Sequence, residues 1–499
     1  MGTRRDDIPA GARLPVVLDV LSPERRFGTV TRLAHELSVS RQTIYTMAAK
    51  AKAGLEALLT PGQHGPATQT TRVDANRVKR LTVVLCACGV SQRGTQTCLA
   101  EGLDVNVSLG WVNQTLSEAE AAATQVNAEW RPPGQESLSG DEIYSQGKPN
   151  LLVVGNESLY VYELTRQPDC TAETWGCVLL NYAQCPQYNS DAGVGLGGGV
   201  KLAGLPIHQL DWDHVLRPMW GQAARCEAQA YDALAAYETR VVLFNRANSA
   251  GRLTQHWTAL DRLERDMTMK IARADAFRAL AEQADAEFGL IERSTGEVRD
   301  PILAAQRLRA VGQQLKPWSG TIYEKLSGYL CHLADGLFSY VPVLQRTLQP
   351  LLDRWGPSGV QALTRVWQCE ADARRQARSD SERQRLNQVW ATCLDHAFAA
   401  LGDQLWQAWD ALAAILGQVW RGSSLAECVN STLRPVLDRR DQTDQGCLSL
   451  FQFLHNTHVF ARGKRAGHSP AQLVHLDVPD DLLTLLGFAP KCQSNSPAF

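Results

Sequence analysis

The chain has 499 residues, of which 44% are hydrophobic, 20% charged and 7% aromatic. That composition excludes global disorder, and the length calls for several modules rather than one core. Fifty Lys and Arg against 52 Asp and Glu exclude a generally basic nucleic-acid coat but leave local basic surfaces open.

Thirteen scattered cysteines with no CxxC pair argue for a reduced, intracellular compartment, and the closest two, Cys86 and Cys88, suit neither a zinc knuckle nor a thioredoxin motif. No apolar run approaches the ~18 residues of a membrane span, and MGTRRDDIPAGARLP has no apolar signal region. Lys and Arg slightly outnumber acids in residues 1–130 and 428–499, while the middle is acidic. DNA binding at the two ends is therefore allowed, not required.

In chain order, Val30–Leu37 has apolar residues at helical spacing, Ser38-Val39-Ser40 interrupts it, and Arg41–Lys52 resumes a helix with Ser40 as N-cap. Helix, short turn, helix is a helix-turn-helix pattern within residues 1–62. It offers Arg41, Gln42, Thr43 and Tyr45 to DNA. The alternative is a plain helical hairpin with a polar outer face. A Pro/Gly/Thr-rich linker, Thr60–Thr71, precedes a second helical domain at 72–131. That domain reads as a second, helix-turn-helix-like DNA-binding domain, whose last helix, Ser108–Val126, carries Ser108 as N-cap, Ser108, Asn113 and Gln114 as DNA-binding candidates, and Trp111 as a core anchor.

Pro132-Pro133-Gly134 closes that region. Ser139–Tyr144, Leu151–Val154 and Leu159–Leu164 read as a three-stranded meander. Thr171–Tyr182 reads as a helix, Gln187–Asp191 as a strand, Gly193–Gly199 as a flexible turn, and His208–His214 as a strand leading into a helix. The glycine run lacks the Lys-Ser/Thr of a phosphate loop. Helices are expected over Gln222–Val242, Thr254–Phe288, Trp318–Gln345, Val360–Arg378 and Glu382–Gly417. Glu427–Arg434 starts another.

The order β-β-β-α-β-α-β, with Asp141 on the first strand and Asp191 ending the fourth, resembles the RNase H-like fold of DDE transposases and retroviral integrases. In the C-terminal quarter, Glu427 before Asn430-Ser431, the stretch from Asn456 to Phe460, and Ser469-Pro470 look like the tail of insertion-sequence transposases. The resemblance covers residues 136–215 and 420–475. It implies a multidomain α+β protein: N-terminal helix-turn-helix modules, a mixed-sheet core in two parts (136–216 and 421–475), a helical insertion at 217–420, and a C-terminal tail at 476–499.

The resemblance also implies a catalytic, metal-binding triad of Asp141, Asp191 and Glu427. Asp211 and His214 correspond to an Asp-x-x-His element after the second aspartate, and Asn430 and Arg434 follow the glutamate as supporting groups. It implies two Mg²⁺ ions, with Mn²⁺ able to substitute, since phosphoryl displacement is served by hard cations on oxygen ligands. The expected partners are double-stranded DNA, as terminal inverted repeats and target, and further copies of the chain in a homodimer or larger assembly, with no membrane. The expected place is the cytoplasm, at the nucleoid in a bacterium. Two rivals are a transposase-derived DNA-binding regulator without catalysis and an RNase H-like nuclease.

Each acid has a plain alternative. Glu142 competes with Asp141 as a ligand, Asp191 is a good turn former, and Glu427 suits the first turn of any helix. His214 is equally an interior histidine pinning strand to helix. His455 and His458 read as packing residues. The arginines at 374, 375, 378, 383 and 385, and Arg462, Lys464 and Arg465, are solvated faces or DNA-backbone clamps.

Overall fold

The Ser40 hydroxyl accepts the Thr43 amide at 3.1 Å and so opens the helix that the sequence places there. In the computed structural model, residues 8–59, 73–132, 134–247, 250–292, 294–376, 379–438 and 443–490 are described. The chain divides into two units, residues 1–72 and 73–499. The linker expected at Thr60–Thr71 lies outside the described residues.

The first unit has three helices, α1 (Ala10–Leu21), α2 (Thr29–Glu36) and α3 (Arg41–Leu59). Val30, Leu33 and Ala34 of α2 fall on one face and bury against Val16 and Val20 of α1 and Ile44 and Ala48 of α3. Helix α1 was not legible in the sequence.

The second unit is mostly helical with one mixed sheet. It opens with α4 (Ala75–Ala87), α5 (Gln92–Leu103) and α6 (Leu109–Glu129). Ser91 caps α5 and Ser108 caps α6. Strands β1 (Leu138–Ser145), β2 (Lys148–Gly155) and β3 (Val161–Arg166) form the expected antiparallel meander. Helix α7 (Ala172–Leu179), β4 (Tyr188–Ser190), α8 (Val194–Leu202) and β5 (His208–Leu210) follow. The sheet order is β3-β2-β1-β4-β5, with β4 parallel to β1 and β5 parallel to β4.

The run expected as a flexible turn, Gly193–Gly199, is mostly helix α8. Its glycines are there for proximity rather than freedom. A Cβ at Gly199 would stand 2.4 Å from that of Trp175, and one at Gly198 would stand 2.6 Å from that of Ala172. Only bare backbone lets α8 lie this close to α7. Trp175, Leu179, Leu196 and Val200 from this pair then cover Leu138, Leu151 and Val153 on one face of the sheet.

After β5 come α9 (Asp213–Asn245), α10 (Ala250–Glu287), α11 (Pro301–Leu315), α12 (Thr321–Leu333), α13 (Val341–Gln376), α14 (Asp380–Leu401) and α15 (Leu405–Leu416). They share one apolar core, which includes Phe277, Leu308, Leu330, Phe338, Leu363 and Leu412. Two expected helices are each broken. Trp318–Gln345 splits at a 3₁₀ turn over Ala334–Phe338. Glu382–Gly417 splits at Gly402, whose φ is +54°, a conformation that favours glycine. Gly356, with φ +70°, puts a kink inside α13. Helix α11, opened by Asp300 and Pro301, was not foreseen.

The chain returns to the sheet with α16 (Ser424–Asp438), which lays Val429 and Leu433 on the second face beside Ile143, Leu152 and Val154. Helix α17 (Gln445–Thr457) packs against α6 through Leu450 and Phe453. The segment expected as a tail is part of this core as far as residue 490. Leu486 and Phe488 are buried in it, and the Ala489 carbonyl accepts from Asn76 and Arg80 of α4.

Side-chain amides close the β3 edge of the sheet and tie β5 to the helical region. On β3, Asn456 bonds both the amide and the carbonyl of Val161, at 2.7 and 3.0 Å, and Gln445 bonds Arg166 N and Leu164 O. Beyond β5, Gln209 takes the Tyr340 amide and gives to the Leu337 carbonyl. Among the described residues no helix is long and apolar enough to cross a membrane.

Candidate active site

Strand pairing brings the two aspartates together. Leu138 stands opposite Tyr188 and Ser139 opposite Asn189 in the parallel β1–β4 pair. Carried two residues on, that register sets Asp191 level with Asp141. Asp191 lies just past the end of β4, where its Oδ1 accepts the Gly193 amide at 2.9 Å. Asp141 accepts the Glu142 amide on Oδ1 and Asn430 Nδ2 on Oδ2, both at 2.8 Å.

Glu427 and Asn430 are three residues apart on α16, so both face the same way. The apolar face of α16 on the sheet delivers Asn430 to Asp141. Burial pushes the Asp141 carboxyl up to about 6, against the opposing pull of its two hydrogen bonds, and the charges of Asp191 and Glu427 push it further up. Glu142 rises to about 7, from burial first and then from Asp191 and Asp141. Four carboxylates thus share one end of the sheet. Glu427 Oε2 lies 3.4 Å from Arg217 Nη2, and Arg217 also pairs with Asp213 one turn back on α9.

Asp211 explains how α16 returns to the site across more than 200 residues of chain. It is buried, and its Oδ2 accepts both the amide and the hydroxyl of Ser423 at 2.8 Å. Its Oδ1 accepts the Asp213 amide at 2.8 Å. A Cβ at Gly422 would stand 2.7 Å from that oxygen. Asn189 on β4 donates to the Gly422 carbonyl, and Gln187 donates to the Trp420 carbonyl. The ends of β4 and β5 therefore grip residues 420–423 immediately before the helix that carries Glu427.

Other expected residues distribute differently. His214 is exposed on the first turn of α9, which removes its reading as an interior pin. Arg434 is exposed on α16. In the first unit Arg41 and Gln42 are exposed, Tyr45 is half-exposed, and Thr43 is partly buried with its hydroxyl 2.9 Å from that of Ser40. In the second unit Ser108 serves as a cap, Asn113 accepts from Gln92, and Gln114 donates to Glu118. Trp111 packs at the edge of the α6–α17 core, as expected of an anchor.

His455 is half-buried with Nε2 3.0 Å from the Leu159 carbonyl, a packing role. Arg465 holds the carbonyls of Asn156 and Glu157, whereas Arg462 and Lys464 are exposed. Arg383 pairs with Asp380. The side chains of the arginines at 374, 375 and 378 lie outside the described residues.

Three contributors escaped the sequence reading. Arg217 and Ser423 sit far in sequence from the groups they hold. His208 places Nε2 2.7 Å from the Ser190 hydroxyl, and burial pushes its pKa down to about 4. Its strand position next to β4 was the only signal available.

The donor set suits a hard cation. Every candidate ligand atom is oxygen, and two of them, Glu142 Oε2 and Asn430 Oδ1, are buried without a hydrogen-bond partner. As they stand, no three His, Cys, Asp or Glu side chains among the described residues form a ready cage. No known protein family matches this chain, and no curated protein matches it.

Proposed function

We propose that the chain is a DDE-type DNA transposase, binding element ends and carrying out divalent-ion-dependent strand cleavage and strand transfer. One observation carries the reading. Asp191 and Glu427, drawn with Asp141 from positions spread over nearly 290 residues, each bring their charge to bear on Asp141 at one end of the sheet, with Asn430 bonded to Asp141. The strand order, three antiparallel strands flanked by two parallel ones, supports an RNase H-like core. Helices α9–α15 then stand as an insertion between β5 and the last acid. In the first unit, α2 and α3 with their intervening turn support a helix-turn-helix that offers Arg41, Gln42 and Tyr45 to DNA.

Asp141, Asp191 and Glu427 would hold the two Mg²⁺ ions, or Mn²⁺ in their place, with Glu142 and Asn430 Oδ1 as further oxygen donors. Bound there, such ions activate the attacking hydroxyl and offset charge on the phosphate. The residues themselves do three things. Asp141 is fixed in rotamer by Asn430 and by the Glu142 amide. Asp191 is fixed by the Gly193 amide. Asp211 clamps the entry to α16, so that Glu427 stays with the sheet.

The test is an assay on DNA that flanks the reading frame, with Mg²⁺ or Mn²⁺. The wild type is expected to cleave the ends and to join the free 3′-hydroxyl to target DNA. Asp191→Ala is expected to lose roughly 10²–10³-fold or more. Full cleavage by Asp191→Ala, or none by the wild type, refutes the enzyme. Binding of ends without cleavage would leave a DNA-binding regulator, and hydrolysis without joined product a nuclease.

A further inference from the structure

Arg217 is the one cation that the described ion pairs place on the candidate site, and the Asp-x-x-His pattern next to it in sequence does not account for it. Its Nη2 is 3.4 Å from Glu427 Oε2, and the same guanidinium pairs with Asp213. Asp141 and Glu142 have no arginine or lysine bonded to them among the described ion pairs. The charge of Glu427 is therefore divided between Arg217 outside the cluster and the position where its carboxylate would meet an ion.

A carboxylate oxygen paired to a guanidinium is a poorer ligand for a divalent cation, so the two cations compete for Glu427. Asp213 makes the exchange cheap. Arg217 and Asp213 lie four apart on α9, so the guanidinium keeps a partner when Glu427 leaves it, and no charge is stranded. Arg217 is two-thirds exposed, which lets water complete its solvation.

Resting on the reading above, we propose that Arg217 is a positioning residue that occupies Glu427 in the ion-free protein and yields it when a divalent cation binds. The arginine is thus the built-in competitor of the ion, and it sets how much ion the site needs.

The experiment is calorimetric titration of Mn²⁺ into the full chain without DNA. Arg217→Gln and the apolar Arg217→Met are both expected to bind Mn²⁺ about two- to fivefold more tightly than wild type, the range an exposed ion pair allows. Arg217→Lys, which keeps the charge, is expected to stay near wild type. Arg225→Gln removes the same charge from an exposed position two turns along α9 and is expected to leave the affinity unchanged. A purely structural role for Arg217 would weaken binding or leave it alone, so the sign decides.

Unchanged or weaker binding by Arg217→Gln and Arg217→Met overturns the proposal. Equal tightening by Arg225→Gln also overturns it, because net charge alone would then suffice. Asp141→Asn separates the two levels of argument. If it binds Mn²⁺ as tightly as wild type, the ion site itself is wrong. If it loses binding while the Arg217 variants match wild type, only the competitor role fails.

Discussion

Two regions of the second unit bury acids, and they treat them in opposite ways. At the junction of α10 and α11, Glu287 is nearly buried and Arg299 fully so. Arg299 bonds Glu287 at 3.1 Å and also Glu292, while Arg307 adds a second cation. Arg299 further donates to the carbonyls of Ala286 and Gly289. At the end of the sheet, Asp141 and Glu142 are half-buried beside Asp191 with only amides to bond Asp141. Burying charge is costly unless it is matched. The first cluster is matched and closes a loop. The second leaves like charges together: partial burial first, and the neighbouring acids after it, raise the pKa values of Asp141 and Glu142, as the proposed ion site requires.

The sharpest way to break this contrast is Arg299→Ala. It leaves the buried Glu287 with only the half-exposed Arg307 and takes the donor from the Ala286 and Gly289 carbonyls, and is expected to cost about 3–5 kcal/mol in denaturant unfolding. A loss under about 1 kcal/mol would show that the cluster is not a matched structural pair. Asp211→Ala should cost less, about 1–3 kcal/mol, because it leaves the buried Ser423 amide without an acceptor. It should also lower the proposed strand cleavage, since α16 loses its anchor. Wild-type cleavage by a destabilised Asp211→Ala would separate anchor from site.

Asp141→Asn has the smallest expected effect and the opposite sign. The folded pKa of Asp141 is about 6 against 3.8 for the free group. Below about pH 4 the carboxyl is neutral in both states and contributes no penalty. As pH rises from 4 through 6 the unfolded chain ionises first, so stability falls, and above about pH 7 the penalty is complete. Without divalent ions the asparagine variant should therefore be more stable than wild type at pH 8, by about 1–2 kcal/mol after allowance for partial exposure, and equal to it at pH 4. Asn430 can turn its unpartnered Oδ1 toward the new amide. Divalent ions should shrink the gap at pH 8, since they bind only the acid. A variant less stable than wild type at both pH values would remove the contrast.

Much of the fold around the candidate site was legible because its signals are local. Strand alternation and tight turns placed β1–β3, the caps at Ser40 and Ser108 follow from hydroxyl chemistry, and Glu427 with Asn430 is an i, i+3 pair. What escaped was set by tertiary contact. Seven residues with five glycines read as a turn, yet they form α8 because Trp175 and Ala172 leave no room for side chains there. Asp211 was flagged beside the site, but its partner Ser423 lies on a segment some 210 residues later. Arg217 reaches Glu427 across a similar distance, and no spacing rule spans it. Gly402 and the Ala334–Phe338 turn broke helices whose hydrophobic period runs straight through, because one backbone conformation outweighs a pattern.

The amide clasp on β3 has a consequence for what can add to the sheet. An exposed edge is the easiest place for a neighbour to add its own backbone in register. Here Asn456 and Gln445 already spend the outward peptide groups of Val161, Leu164 and Arg166. A newcomer would have to evict α17, and with it the packing that α17 gives to α6. A second copy of the chain could therefore not extend the sheet at this edge without undoing that packing, which leaves the β3 side of the sheet the same width whatever else the chain binds.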